Sequence, residues 1–316
     1  MIWLVWRRQR AALLLGAALV AVTVVALVVA RLLLESRAAS LGDSACLTDP
    51  ALDCTGWGRG RELYDSFLGP HRFLQFWVWA LVPLLGLIVA ATLFARETEE
   101  RTVGFVLTQS VSRTRWWTTN IATTLLPALA GALVLGLAAR WALAPFETLF
   151  QQGRIGPLGF ELHGIWLPAS VLISFSLAAA LGTWLRSSLA VVVGTVLGWL
   201  VIFAVLVYTR YDILPSSVQI VPIGEYDGTV DVDGLARDMA FRGAGGEMIP
   251  PGEVGAGCGP QENYTACLQR DGVVAAEFEY QPESNFWPLQ LIQSGIAIVL
   301  SSVLLGSSYV RARRLG

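Results

Sequence analysis

Residues 95–117 read ARETEERTVGFVLTQSVSRTRWW, the densest run of charge in the first two hundred residues. The apolar run 76–95 ends where this segment begins, and the apolar run 118–139 follows it directly. Runs of about twenty apolar residues cross a bilayer as helices. The quoted segment is therefore predicted to be a loop that joins two transmembrane helices at one surface of a membrane.

The composition of the whole chain favours an integral membrane protein. It is 54% hydrophobic, has a mean hydropathy of +0.58 and is only 15% charged, whereas soluble domains carry about 25% charged residues. Six segments are apolar for long enough to cross a bilayer: 11–30, 76–95, 118–139, 164–185, 189–209 and 288–310. The first is longer than the apolar core of a signal peptide, although ESRAAS weakly resembles a cleavage site.

These segments predict an all-α polytopic membrane protein with six transmembrane helices. The predicted domains are 1–209, with the first five helices and the loop 96–117; 210–286, an extracytoplasmic loop domain; and 287–316, with the sixth helix and a basic tail. Within 210–286, the stretches VQIVPI and GVVAAEFEYQ are typical of strands, and GAGGEMIPPGEVGAGCGP is typical of an extended loop.

The distribution of arginine predicts the orientation. All 22 basic residues are arginine, and six spans place both termini on one side. The short segments on that side carry eleven arginines and three acidic residues, Glu97, Glu99 and Glu100. The arginines are Arg7, Arg8, Arg10, Arg96, Arg101, Arg113, Arg115, Arg186, Arg311, Arg313 and Arg314. Basic residues concentrate in cytoplasmic loops, so both termini and 96–117 are predicted to be cytoplasmic.

All four cysteines lie in segments assigned to the outer side. Disulfides persist in oxidising compartments and are rare in the cytosol. Two local bridges are predicted, Cys46–Cys54 and Cys258–Cys267, although four cysteines allow three pairings. Four free thiols are the alternative.

The sequence does not supply its own source of energy. The chain has no lysine, which a phosphate-binding loop places on the nucleotide phosphates, and no ionisable side chain lies well inside a predicted span, where ion-coupled transporters have them. His71 and His163 fall at outer edges of the spans and are too few for a histidine-rich metal site. We therefore expect no catalytic residue, no metal site and no cofactor in this chain.

The loop 96–117 is the largest predicted cytoplasmic surface on which a separate subunit can dock. Its acidic start suits the N-terminal dipole of a helix, and an apolar patch around Phe105 suits an amphipathic helix at the membrane surface. Ser110 and Ser112 flank a break before the next span. The alternative interpretation is a solvated loop with interfacial anchors.

Four stretches of the chain resemble the permease subunits of type-2 ABC transporters, especially small actinobacterial ones. They are the quoted segment; the opening WRRQRAALL; residues 156–193, GPLGFELHGIWLPASVLISFSLAAALGTWLRSSLAVVV; and the end, FWPLQLIQSGIAIVL with YVRARR. The four stretches follow one another in the order of the family's elements.

The resemblance implies a mechanism in which two permease copies, or two related permeases, pair with two ATP-binding subunits that carry the ATP and Mg. The loop after the second span forms a coupling helix, here about Glu97 to Arg113, that seats in a groove on the ATPase. The implied contact residues are Glu97, Glu99, Glu100, Arg101, Thr102, Phe105 and Arg113. Arg101 stands where the family often has glycine.

The predicted function is export of an amphipathic or lipid-like small molecule across a bacterial inner membrane, with membrane lipid and the ATPases as partners and no nucleic acid. The alternative is a non-transporting scaffold or sensor, with 210–286 as the receptor domain. Small-residue runs such as 177–182 allow close helix contacts, including contacts between two copies.

Overall fold

The computed structural model describes residues 2–49, 52, 54, 60–99, 112–150, 153–185, 187–226, 232–254 and 264–314. The chain divides into two compact units. Unit 1 comprises Met1–Gln152, Pro157–Leu206 and Gln290–Gly316, and unit 2 comprises Gly153–Gly156 and Val207–Leu289.

Helices dominate the described residues. They are α1 (Ile2–Leu41), α2 (Arg61–Glu99), α3 (Arg113–Phe150), α4 (Gly159–Leu162), α5 (Trp166–Trp184), α6 (Ser188–Arg210), α7 (Tyr264–Arg270) and α8 (Phe286–Arg314), with 3-10 turns at Ser44–Leu47 and Glu283–Asn285. In the part of the chain that the structure describes, six helices are long and apolar enough to cross a membrane: α1, α2, α3, α5, α6 and α8. Five of the predicted segments lie inside these helices, and α5 lies inside the predicted segment 164–185.

The first three long helices extend far beyond those segments. α1 has 40 residues, α2 has 39 and α3 has 38. At 1.5 Å per residue each is about 60 Å long, twice the ~30 Å of a hydrocarbon core. The prediction counted only apolar residues, whereas a helix continues wherever its polar side chains have partners. Arg31 of α1 pairs with Glu35 at 2.7 Å and lies 4.1 Å from the ring centroid of Trp141 on α3.

Gly42 ends α1. It has a φ of +77°, a left-handed conformation that glycine adopts without strain. The N–H of Asp43 donates to the carbonyl of Ala38 at 2.9 Å, and the N–H of Gly42 donates to that of Ala39 at 3.3 Å. This pair of bonds is a Schellman motif, and it turns the chain into the connection that leads to α2.

A shared core joins the extensions of α1, α2 and α3. The Cys46–Cys54 disulfide, one of the two predicted bridges, is present and packs into this core. His71 is fully buried, and its ring stacks on Phe146 at 5.2 Å and on Phe150 at 4.9 Å. The helices therefore continue past the predicted span and enclose His71, which the sequence placed at the edge of that span.

Helix α5 is the most enclosed long helix of unit 1. Its small residues let α2 approach closely: a Cβ atom on Gly86 of α2 would overlap Ser174 Oγ and lie 2.6 Å from the carbonyl oxygen of Val171. Ala178 and Ala179, in the predicted small-residue run, are fully buried and pack with residues of α2 in one cluster. This run is therefore used inside the chain.

Unit 2 contains an antiparallel sheet in the order β1-β4-β2-β3, so the prediction of an all-α chain is wrong in this region. Its strands are β1 (Ser217–Pro222), β2 (Gly234–Gly243), β3 (Met248–Ile249) and β4 (Val273–Pro282). β1 and β4 coincide with the two strand-like stretches. β2 and β3 were not predicted; β3 lies inside the stretch assigned to a loop.

The core of unit 2 lies on one face of this sheet. Phe241 of β2 and Phe278 of β4 pack there with Tyr226 and with Leu268 of α7. Cys267, also on α7, is fully buried and disulfide-bonded. Cys258, its predicted partner, lies outside the described residues.

Substituting Gly86 tests the contact between α2 and α5. Gly86→Ala is expected to lower the free energy of unfolding by about 1–3 kcal/mol, because the added methyl group overlaps the backbone of α5. The readout is the apparent melting temperature of the purified protein in detergent. The matched control is Gly306→Ala on α8, where an added Cβ meets no atom within 4 Å. Equal melting temperatures for both variants would contradict the close contact.

Cleavage between the cysteines tests the first bridge. Asp49 and Asp53 lie between Cys46 and Cys54, so an Asp-specific protease is expected to leave their two fragments joined until a reductant is added. Cys46→Ser is expected to make Cys54 reactive to maleimide and to cost about 2–3 kcal/mol of stability. Fragments that separate without reductant would show that the bridge does not form.

Candidate functional site

The predicted coupling segment lies between the end of α2 and the start of α3. Glu97 and Glu99 fall in the last turns of α2, where the structure describes the backbone and not these side chains. Glu100, Arg101, Thr102 and Phe105 lie outside the described residues. Arg113, the last member of the predicted set, is the first residue of α3.

Ser112 caps the start of α3. Its hydroxyl oxygen accepts a hydrogen bond from the backbone N–H of Arg115 at 3.3 Å, and its carbonyl accepts one from the N–H of Trp116 at 3.0 Å. An N-cap serine bonds the third helical residue in this way because the first N–H groups of a helix have no carbonyl partner. Helix α3 therefore begins directly after Ser112, whereas Ser110 and the predicted break between the two serines lie outside the described residues.

The first turns of α3 are joined to the last turns of α8. Thr114 Oγ1 lies 3.1 Å from the hydroxyl oxygen of Tyr309, and Trp117 Nε1 donates to Ser308 Oγ at 3.2 Å. The rings of Trp117 and Tyr309 meet edge to face, with centroids 5.3 Å apart. We call these four residues the α3–α8 clamp.

Arginine side chains reinforce this end of unit 1. Arg113 donates to the backbone carbonyl of Arg313, one of the last carbonyls of α8, which have no partner within the helix. The guanidinium of Arg311 lies 5.0 Å from the ring centroid of Trp184, the last residue of α5. These contacts bring the start of α3 and the ends of α5 and α8 together.

One apolar cluster lies beneath the clamp. It contains Leu93 of α2, Trp116 of α3, Phe175 of α5, Val191 of α6 and Ala312 of α8, and Leu13 of α1 packs against it. All six long helices therefore contribute to the core that adjoins both ends of the coupling segment.

An open groove of about 180 Å³ lies between α2 and α6. Its walls include Trp79, Pro83 and Leu84 on α2, and Val196 and Trp199 on α6. The polar groups nearby are directed elsewhere: the hydroxyls of Ser174 and Thr195 donate to carbonyls of their own helices at 3.0 and 2.7 Å. The groove therefore presents an apolar surface.

At the start of α8, Gln290 binds the connection between α4 and α5. Its Nε2 donates to the carbonyls of Phe160 and His163, at 2.7 and 3.2 Å, and its Oε1 accepts from the N–H of Trp166 at 3.1 Å. Gly164 has a φ of +67°, and a Cβ there would lie 2.9 Å from Gln290 Oε1. Glycine meets both constraints.

His163 links the same connection to α3. Its Nδ1 lies 2.7 Å from the carbonyl oxygen of Gly159, and its Nε2 lies 3.0 Å from Glu147 Oε1. Because a carbonyl oxygen only accepts hydrogen bonds, Nδ1–H donates to Gly159, and Nε2 faces the carboxylate of Glu147. The sequence analysis placed His163 at the outer edge of a span and did not select Glu147 or Gln290. The available signal was the occurrence of these three polar residues near the ends of apolar segments.

No group of three or more His, Cys, Asp or Glu residues arranged to hold a metal ion occurs among the described residues. The candidate site of unit 1 comprises the α3–α8 clamp, next to the segment predicted to dock an ATPase, and the apolar groove between α2 and α6.

A family model described as ABC-2 membrane transporter related matches residues 17–210, which is more than half of the 316-residue chain. The matched region begins in α1, includes the coupling segment and ends with α6, whereas the strands and α8 follow it. No curated protein and no solved structure matches the chain. The resemblance to type-2 ABC permeases is confirmed at the level of the family: the chain belongs to the ABC-2 membrane transporter related family.

Proposed function

We propose that this chain is the membrane-spanning permease subunit of an ATP-driven exporter. It moves an amphipathic or lipid-like small molecule outward, for example an antibiotic or a drug. The observation that carries the proposal is the α3–α8 clamp, because it links the segment predicted to receive an ATPase to a helix far away in the sequence.

The energy enters from other subunits. Membership of the family implies partnership with ATP-binding subunits in general, and this chain has no lysine for a phosphate-binding loop. Two such subunits carry ATP and Mg and dock on the coupling segment, and a second permease copy or a related permease completes the complex. The arginine-rich short loops support a cytoplasmic position for that surface, which we assign to the inner membrane of a bacterium.

The clamp gives a route for the movement. A coupling segment pushed by an ATPase acts on the start of α3, and Thr114 and Trp117 pass the displacement to Tyr309 and Ser308 of α8. A single hydrogen bond between membrane helices contributes about 0.6–2 kcal/mol. Two such bonds with a ring contact are enough to make the two helix ends move together.

The groove between α2 and α6 supports the choice of cargo. Its lining is apolar and contains Trp79 and Trp199, whose rings lie 5.4 Å apart at one side. Ligand clefts are lined predominantly by apolar and aromatic side chains, so this groove supports a cargo with a large apolar part.

Three substitutions in the coupling segment test the docking surface. Glu97→Ala, Glu100→Ala and Arg101→Ala together are expected to weaken the complex with the neighbouring ATPase at least tenfold, a loss of about 1.4 kcal/mol or more. Affinity is measured by titrating the ATPase onto the permease in nanodiscs. The control variant, Glu225→Ala with Glu253→Ala, removes two exposed carboxylates of unit 2 and is expected to bind the ATPase normally. Unchanged binding by the triple variant would refute the docking assignment.

Removing the polar contacts of the clamp tests transmission separately from docking. Trp117→Phe with Tyr309→Phe keeps an aromatic ring at both positions and deletes the two hydrogen bonds. ATPase binding is expected to persist, while the change in hydrogen exchange at residues 305–314 on adding ATP and vanadate is lost. Tyr208→Phe, at a side chain that is 85% exposed on α6, is the matched control. A nucleotide response that survives in the double variant would show that α8 is not driven through the clamp.

A sensor or scaffold is the second candidate, since unit 2 has its own sheet and its own core, as a receptor domain requires. The neighbouring genes separate the two functions. A gene for a protein with a phosphate-binding loop favours export, and a gene for a kinase or sigma-factor regulator favours sensing.

A further inference from the structure

A second open groove lies on unit 1 between α1 and α3 and has a volume of about 250 Å³. One wall contains Val5, Trp6 and Leu13 of α1, and the other contains Ala122, Leu126 and Pro127 of α3. The groove is distinct from the one between α2 and α6, since it shares no lining residue with it.

Helices α1 and α3 lie side by side and in parallel along this groove. A Cβ on Gly131 of α3 would lie 3.3 Å from Val20 Cγ2 of α1, and further along, Arg31 of α1 stacks on Trp141 of α3. The difference in residue number between the two partners is nearly the same at both contacts, Val20 with Gly131 and Arg31 with Trp141. The two helices therefore run in the same direction and start at the same end of unit 1. The groove therefore opens within the first few turns of each helix.

Each of the two helices carries one arginine on the face that lines the groove. Arg10 lies four residues after Trp6 and three before Leu13, and Arg115 lies seven before Ala122 and eleven before Leu126. These spacings place each arginine on the same face of its helix as the groove residues. Helical side chains point toward the helix N-terminus, so both guanidinium groups are directed toward the end where α1 and α3 begin.

The charge of these arginines is not neutralised within the described structure. Arg10 and Arg115 are exposed, and within the described ranges no carboxylate forms an ion pair with either. The polar side chain in the groove is satisfied internally, because the Thr123 hydroxyl donates to the carbonyl of Thr119 at 2.7 Å. The apolar groove thus leads to two arginines that have no carboxylate partner among the residues the structure describes.

We propose that this groove binds an anionic phospholipid, with one acyl chain between α1 and α3 and the phosphate at Arg10 and Arg115. A hydrocarbon chain matches the apolar walls, and a phosphate matches guanidinium groups both in charge and in hydrogen-bonding geometry. Anionic headgroups attract basic residues near the membrane surface. The site does not depend on the proposed export function.

The test compares phosphatidylglycerol with phosphatidylcholine of the same chain length. The full-length protein is purified in detergent, supplied with each lipid, and examined by native mass spectrometry and by thermal melting. The wild-type protein is expected to retain phosphatidylglycerol in preference to phosphatidylcholine and to melt at a higher temperature with it. Arg10→Gln with Arg115→Gln is expected to reduce retention of phosphatidylglycerol roughly tenfold or more, to the level of phosphatidylcholine.

Two controls separate the headgroup from the acyl chain. Arg72→Gln with Arg140→Gln removes two other exposed arginines of α2 and α3 and is expected to keep the preference. Ala122→Phe fills the groove and is expected to reduce retention of both lipids, whereas Ala18→Phe on a different face of α1 is expected to change neither.

Three outcomes would overturn the proposal. A preference for phosphatidylglycerol that survives in the Arg10→Gln, Arg115→Gln variant would remove the headgroup site. Normal lipid retention by Ala122→Phe would leave surface charge alone as the cause. A melting shift of the same size with glycerol 3-phosphate, or conversion of a dimer to a monomer by Ala122→Phe, would assign the site to free phosphate or the groove to a second copy.

Discussion

The close approach of α2 to α5 at Gly86 is the contact on which the arrangement of unit 1 depends. Lipid chains are as apolar as the helices, so burial of apolar surface does not hold membrane helices together; packing of small residues and interhelical hydrogen bonds do. Gly86 has no side chain, which lets the backbone of α2 reach Ser174 and Val171. With α5 fixed in the interior, the direction of α2 is fixed, and so is the position at which the coupling segment begins.

Polar groups in the helices follow from the lack of water in a bilayer. Every polar group there needs a partner in the protein, and the hydroxyls of Ser174, Ser176 and Thr183 on α5 each donate to a carbonyl of α5 itself. Such hydroxyls pack as small apolar groups. The long amides of α8 act differently, because Gln290 and Gln293 each bind backbone carbonyls of other segments. Polar side chains therefore join elements at the start of α8 and leave α5 free to pack closely.

The number of long helices could be predicted from the sequence because it depends on local chemistry, the length of each apolar run. Helix ends such as Leu41 and Phe150 could not, since the extensions depend on partners distant in sequence, as Arg31 on Trp141. The same reason explains His71, whose burial requires Phe146 and Phe150. Strand β2 was missed because Arg237, Asp238 and Arg242 interrupt its apolar pattern. The partners of the two arginines, Asp212 for Arg237 and Glu277 for Arg242, lie on other segments.

Helix α3 is joined to α8 near both of its ends. At its start the clamp connects Thr114 to Tyr309 near the end of α8. At its end Glu147 binds His163, and the carbonyl of His163 accepts from Gln290 near the start of α8. Two antiparallel helices tied at both ends tilt together more readily than they separate. The groove between α2 and α6 is lined by neither helix. Under the proposed export mechanism, a movement of the α3–α8 pair therefore reaches the groove only through the apolar core that all six long helices share.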